Sequence, residues 1–176
     1  RDALPPSEAR PKIKFREIRI LEKSNSEIGQ TLSTHGIKHN LNGDLLVIDY
    51  DSHMIFGFTP HGDCKFHFGG WGNTPGNLQY PGSITTDSKN NIYVVEERSR
   101  QVKKFDEKGK YLFQFDLGQP EMLYSPSIDN QDNLWIADPE YNRIRVFDDQ
   151  GNNLRNVENS NFKEPIGIYC LPNGEY

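Results

Sequence analysis

Three acids recur at one position in the sequence. Asp49, Glu96 and Asp138 each close a short apolar run, Leu45-Leu46-Val47-Ile48, Ile92-Tyr93-Val94-Val95 and Leu134-Trp135-Ile136-Ala137. A carboxylate at a strand end can line a channel, accept a cation, or hold loop amides and a neighbouring guanidinium such as Arg100 or Arg143. Recurrence in every copy favours the structural role, because function on a repeated scaffold rests on what differs between copies. The five histidines, His35, His39, His53, His61 and His67, all fall in the first of these stretches. His35 and His39 are four apart, but a strand and turn do not gather that spacing onto one site as a helix does. They read as turn or surface residues, and neither a metal nor a cofactor is expected. Ser83 and Ser125 open strands without a Gly-x-Ser-x-Gly elbow, and Cys64 and Cys170 offer no Cys-His pairing, so no catalytic residue is assigned. The two cysteines are too few for a disulfide scaffold and read as small buried or half-buried side chains.

The elements that position these residues form a repeat. Sliding Asn91-Ile92-Tyr93-Val94-Val95-Glu96 forward by 42 residues places it on Asn133-Leu134-Trp135-Ile136-Ala137-Asp138, with Phe105 on Phe147 and Gly109 on Gly151. A backward offset of 47 brings Asp49, Phe58 and Gly62 under Glu96, Phe105 and Gly109. The five extra residues lie between Gly69 and Tyr80, where glycines and Pro75 argue for loop. A period of about 42 is too long for one hairpin and suits a four-stranded sheet. Apolar runs bounded by Asn, Asp and Gly predict strands near 36 to 39, 44 to 49, 53 to 58 and 63 to 68, then 83 to 86, 91 to 95, 101 to 105 and 111 to 115, then 126 to 129, 133 to 137, 143 to 147 and 153 to 157. A further strand is expected at 166 to 170. Both faces of each second strand are apolar, so each sheet must be covered on two sides, as radial packing achieves.

The strings Tyr80-Pro81-Gly82-Ser83-Ile84, Asn91-Ile92-Tyr93-Val94-Val95-Glu96 and Arg100-Gln101-Val102-Lys103-Lys104-Phe105-Asp106, with their third-unit counterparts Asn133-Leu134-Trp135-Ile136-Ala137-Asp138 and Asn142-Arg143-Ile144-Arg145-Val146-Phe147-Asp148, resemble the NHL repeat. The Asn-His-Leu triplet itself is absent, Leu123-Tyr124-Ser125-Pro126 lacks the usual Pro-x-Gly opening, and Glu96 stands where the other copies have Asp. The resemblance implies an all-β chain: a β-propeller of NHL type, an incomplete ring with about three full four-stranded blades and the start of a fourth, in units of about 35–80, 81–122, 123–164 and 165–176. Such propellers commonly close with about six blades. Residues 1–34 read as an N-terminal arm, with a possible outer or closing strand at 12–21.

In a propeller, the connections between blades and the turns from second to third strands emerge on one side. Trp71, Tyr80, Arg98, Arg100, Tyr124, Tyr141 and Arg143 fall there and differ between units, and aromatic and Arg side chains are the usual anchors of binding. They are the partner-binding candidates; Asp49, Glu96, Asp138, Phe58, Phe105, Phe147, Gly62, Gly109 and Gly151 are structural repeat positions. The expected function is a non-enzymatic protein-interaction or scaffold module. The resemblance also implies two rivals. One is a single-stranded RNA-binding domain, supported by the basic set Arg98, Arg100, Lys103, Lys104, Lys108 and Lys110. Against it stand Asp138, Glu140, Asp148 and Asp149 in the adjoining unit, and an alternation that sends Lys103 and Lys104 to opposite faces. The other is part of a propeller lyase or hydrolase whose site lies in other blades.

With 25 acids against 20 bases, a net charge of -5 offers no bulk attraction to a polyanion. No apolar run approaches the roughly 18 to 20 residues of a membrane-spanning helix. The chain begins Arg1-Asp2-Ala3 without an apolar leader, and it is expected to be a piece of a longer protein whose further blades, or a protein partner, complete the ring.

Overall fold

The computed structural model describes residues 32–118 and 124–171; the strand expected at 12–21 lies outside them. Twelve strands form three four-stranded antiparallel sheets, each built from consecutive strands. The first contains β1 (Thr34–His39), β2 (Leu45–Asp49), β3 (Met54–Phe58) and β4 (Cys64–Gly69). The second contains β5 (Pro81–Thr86), β6 (Ile92–Glu96), β7 (Gln101–Phe105) and β8 (Tyr111–Asp116). The third contains β9 (Tyr124–Ile128), β10 (Leu134–Asp138), β11 (Arg143–Phe147) and β12 (Asn153–Glu158). No helix occurs among the described residues.

Register repeats with sequence. Leu45 pairs with Phe58, Ile92 with Phe105 and Leu134 with Phe147. Bulges recur as well, each just before the phenylalanine that ends the third strand. The turns repeat one chemistry. Asp87 Oδ1 accepts the amides of Lys89 and Asn91, and Asp129 and Asp148 do the same for Gln131 and Asn133 and for Gln150 and Asn152. A short side-chain acceptor thereby satisfies amides that the reversing backbone would leave open. The first blade exchanges the two residue types, with Asn40 Oδ1 accepting the Asp44 amide at 2.8 Å.

The blades meet face to face. Leu46, Ile48 and Ile55 of the first pack against Ile84, Ile92, Val94 and Phe105 of the second. Tyr93, Val95 and Val102 on the other face of the second pack against Leu134, Ile136 and Phe147 of the third. These residues are buried, and each contributes roughly 1.5–3 kcal/mol of apolar burial. At each seam a phenylalanine from one outer strand rests on a turn glycine of the next blade: Phe68 on Gly109, and Phe115 on Gly151. The innermost strands β1, β5 and β9 stand side by side around the axis, and the three blades leave the ring open.

The strand expected at 166–170 is not formed. These residues have no strand partner among those described, although Cys170 is buried against Trp135 and its amide donates to Ser127 Oγ at 3.1 Å. Cross-strand hydrogen bonds define a strand, and apolar content alone does not supply them. Neither cysteine is in a disulfide; Cys64 is half-buried and Cys170 buried.

Candidate partner-binding site

The recurrent acids are buried and engaged. Asp49 accepts the Ser33 amide at 2.9 Å and the Ser52 hydroxyl. Glu96 accepts the Gln79 amide at 2.6 Å and the Ser99 hydroxyl, and lies 3.1 Å from Lys103 Nζ. Asp138 takes Arg143 Nε at 2.7 Å and the Tyr141 amide at 3.3 Å. Each carboxylate therefore ties a blade-face turn or the incoming chain to its sheet. Among the described residues, no group of three or more His, Cys, Asp or Glu could hold a metal ion.

Between the first and second blades, the same face carries a cluster of rings. His53 begins it, from the turn after β2. Its ring lies 4.7 Å from Trp71 and 5.1 Å, edge-on, from Tyr80, and Trp71 and Tyr80 meet edge-to-face at 5.3 Å. Tyr50 closes the inner side, 5.8 Å from Tyr80 and stacked on His35 at 4.0 Å. Arg98 Cζ sits 3.8 Å over the Tyr80 ring, and the Tyr50 hydroxyl reaches Glu97 Oε2 at 3.4 Å. Burial, then the Glu97 carboxylate, push the Tyr50 phenol above its ordinary value, so it stays a neutral donor. Trp71 is 57% exposed, the most open large ring of the cluster.

The loop carrying Trp71 and Tyr80 is tied down at both ends. The Gly70 amide donates to the His53 carbonyl at 2.8 Å, and the Tyr80 amide donates to His53 Nδ1 at 3.1 Å. Trp71 bridges to Leu78, which is fully buried in the first seam. The loop thus presents an exposed indole from a backbone anchored in the core.

Of the expected contact residues, Trp71, Tyr80 and Arg98 come together. Tyr141 and Arg143 form a separate pair on the third blade, with the guanidinium 4.8 Å from the ring and Tyr141 47% exposed. Arg100 takes a left-handed backbone, φ 59°, and its carbonyl accepts the Leu117 amide at 2.8 Å. Tyr124 opens β9 opposite Ala137. Sequence reasoning takes His53 and His35 for turn or surface residues and singles out neither Tyr50 nor Glu97. A signal existed for His53, which the offsets of 47 and 42 place on Arg100 and Asn142.

Two members of the basic set on the second unit do not reach the surface. Lys103 and Lys104 are buried, 3% and 5% exposed, the first against Glu96 and the second 3.6 Å from Asp87. Their ammonium groups neutralise interior acids and cannot reach a polyanion. Toward the axis, β1, β5 and β9 line a cavity of about 460 Å³ with His35, Lys38, Ser83, Glu97 and Ser125 among its walls.

Virginiamycin B lyase from Staphylococcus aureus, in an inactive form with quinupristin, superposes with a TM-score of 0.62 at 22% identity, covering 77% of this chain and 44% of that one. The U3-55K structure does so with a TM-score of 0.66 at 11% identity, covering 80% and 44%. The WD40 repeats of RRP9 give 0.66 at 10%, covering 80% and 43%. The fold is a β-propeller. In sequence, protein brain tumor of Drosophila melanogaster is 29% identical over 104 residues, 58% of this chain and 10% of that protein. The chain thus spans about a tenth of that relative and under half of the matched propellers. No family model matches.

Proposed function

We propose that this chain is part of an NHL-type propeller and works as a protein-interaction module, with Trp71, Tyr80 and Arg98 as its contact surface. The observation that carries the reading is an indole 57% exposed yet held between His53 and Tyr80 on a loop tied to the core. A ring already fixed in place loses little entropy when a partner covers it, and Trp, Tyr and Arg dominate binding energy at protein interfaces. Further blades, from a longer chain or from a partner, would cover the outward faces of the first and third sheets.

RNA recognition is the weaker reading. With Lys103 and Lys104 internal, the remaining bases divide between the two ends of β7, Arg98 and Arg100 before it and Lys108 and Lys110 after it. No single basic track results. The likeness to lyases extends to the fold, and no reaction is assigned to this chain.

A photo-crosslinking residue at position 71 tests the proposal. It should join the chain to a protein in its source extract, with unlabelled chain competing. Tyr80→Ala together with Arg98→Ala should lose that product without lowering the melting temperature by more than a few degrees. Crosslinks to RNA, or equal crosslinking from position 112 on outer strand β8, would overturn it.

A further inference from the structure

Each blade turns from its second to its third strand through one left-handed residue: His53 (φ 57°), Arg100 (φ 59°) and Asn142 (φ 50°). In the first and third blades, that side chain performs the same task. Asn142 Oδ1 accepts the Glu164 amide at 2.8 Å, and His53 Nδ1 accepts the Tyr80 amide at 3.1 Å. Both amides belong to a left-handed residue directly before a proline, Glu164 (φ 47°) before Pro165 and Tyr80 (φ 50°) before Pro81. The backbone before proline is sterically restricted, so such a conformation needs an external hold. Asn Oδ1 and His Nδ1 sit at the same distance along their side chains, which makes the two latches one geometry in two chemistries. The amide oxygen accepts at any pH. The ring nitrogen accepts only while it is unprotonated.

We infer that His53 is a pH-sensitive latch on the Tyr80 end of the loop from Trp71 to Tyr80, so that acidification loosens the contact surface there. This rests on the interaction reading above. With Nδ1 accepting, the neutral ring carries its proton on Nε2. A second proton places an N–H against the Tyr80 N–H at 3.1 Å, two donors facing each other, and the hydrogen bond is lost. The charged and titratable groups around the ring are Tyr50 from its own turn, Tyr80 from the inter-blade loop, Glu97 and Arg98 from the turn after β6, and His35 beyond Tyr50, with Asp49 and Asp51 near it in sequence. Asp49 is occupied by Ser33 and Ser52, and Tyr50 stands between His53 and Glu97. Tyr50 holds its proton throughout, as its raised value requires. His35, stacked on Tyr50, is the other imidazole of the cluster.

Nuclear magnetic resonance on the 176-residue chain, from about pH 8 to about pH 5, decides it. At the upper end the His53 ring should show the Nε2–H tautomer. On acidification the Tyr80 amide and Trp71 indole signals should move in one step with the His53 ring, and protection of the Tyr80 amide should fall roughly tenfold, as expected for one lost hydrogen bond. The Glu164 amide, held by Asn142, should keep its protection. His53→Asn should abolish the step at Tyr80 and Trp71 while leaving His35 in place, and His53→Ala should leave Tyr80 unprotected at every pH. An Nδ1–H tautomer at neutral pH, or a Tyr80 step that survives in His53→Asn, would overturn the latch. Because this readout uses no partner, it stands apart from the crosslinking test: Trp71 products that fail there count against the interaction reading alone.

Discussion

The ring of Phe68, from the outer strand of the first blade, rests directly on Gly109, in the turn of the second, where an added β-carbon would overlap it. Phe115 and Gly151 repeat the relationship one blade on. Gly109 is needed twice over, for its φ of 85° and for the space above it. Gly62 shares the conformation, φ 92°, with no described atom within 4 Å of such a β-carbon.

The two requirements can therefore be separated. Gly62→Ala should cost about 1–2 kcal/mol, the strain of a left-handed alanine. Gly109→Ala should cost roughly 1–3 kcal/mol more, because it also overpacks the seam. Urea unfolding of both variants checks this, and equal losses would mean that the seam yields freely.

Lys103 and Glu96 form a buried ion pair at 3.1 Å, and Lys103 Nζ also donates to the Asn77 carbonyl at 2.7 Å. Lys103→Met strands the Glu96 charge and should destabilise by about 3–5 kcal/mol. Adding Glu96→Gln should restore part of that loss, since the stranded charge is then gone. A double-mutant cycle by denaturant melts measures the coupling.

Acid should weaken the turns before the architecture. Burial pushes the Asp129 carboxyl up, but hydrogen bonds from the Trp135 indole, 2.8 Å, and from Asn133 outweigh it and hold the group below its ordinary value. Asp148 is lowered likewise by Asn152, Gln150 and Gly151. For a carboxyl lowered on folding, the stabilisation is fully present above the unfolded value, about 3.9, and disappears as pH falls through the lower folded one. Melts between about pH 5 and pH 2 should show this decline, and Asp129→Asn should flatten part of it.

The two thiols should differ in reactivity. Burial pushes the Cys170 thiol up, only partly offset by its contact with Ser127, whereas Cys64 lies half-buried on outer strand β4. Iodoacetamide applied to the folded chain should label Cys64 well before Cys170, because the thiolate is the reacting form. Mass mapping after short exposure reads the order, and prior labelling of Cys170 would contradict its packing in the Trp135 cluster.

Much of the fold was legible because propeller contacts are local in sequence or repeat with a fixed offset. Leu46 and Ile92 lie on opposite faces of their strands' common pattern, and the structure packs them into one seam, as two-sided apolar strands require. The 166–170 stretch reads as a strand in sequence, but only Ile168 and Cys170 pack into the Trp135 cluster, Ile166 and Tyr169 stay exposed, and no strand among the described residues pairs with it. Lys103 and Lys104 read as part of a basic patch because charge is visible in a sequence and its burial is not.

By itself, the sequence determined the period, the three four-stranded sheets, the two-faced strands and the glycine turns, since each depends on residues within about one repeat of one another. Only the tertiary structure decided that His53, Trp71, Tyr80 and Arg98 meet, that the interior acids consume the lysines, and that His53 stands for Asn142 as an acceptor. The reason is physical. Those relations join loops of different blades, and where a loop side chain points is set by the blades that carry it.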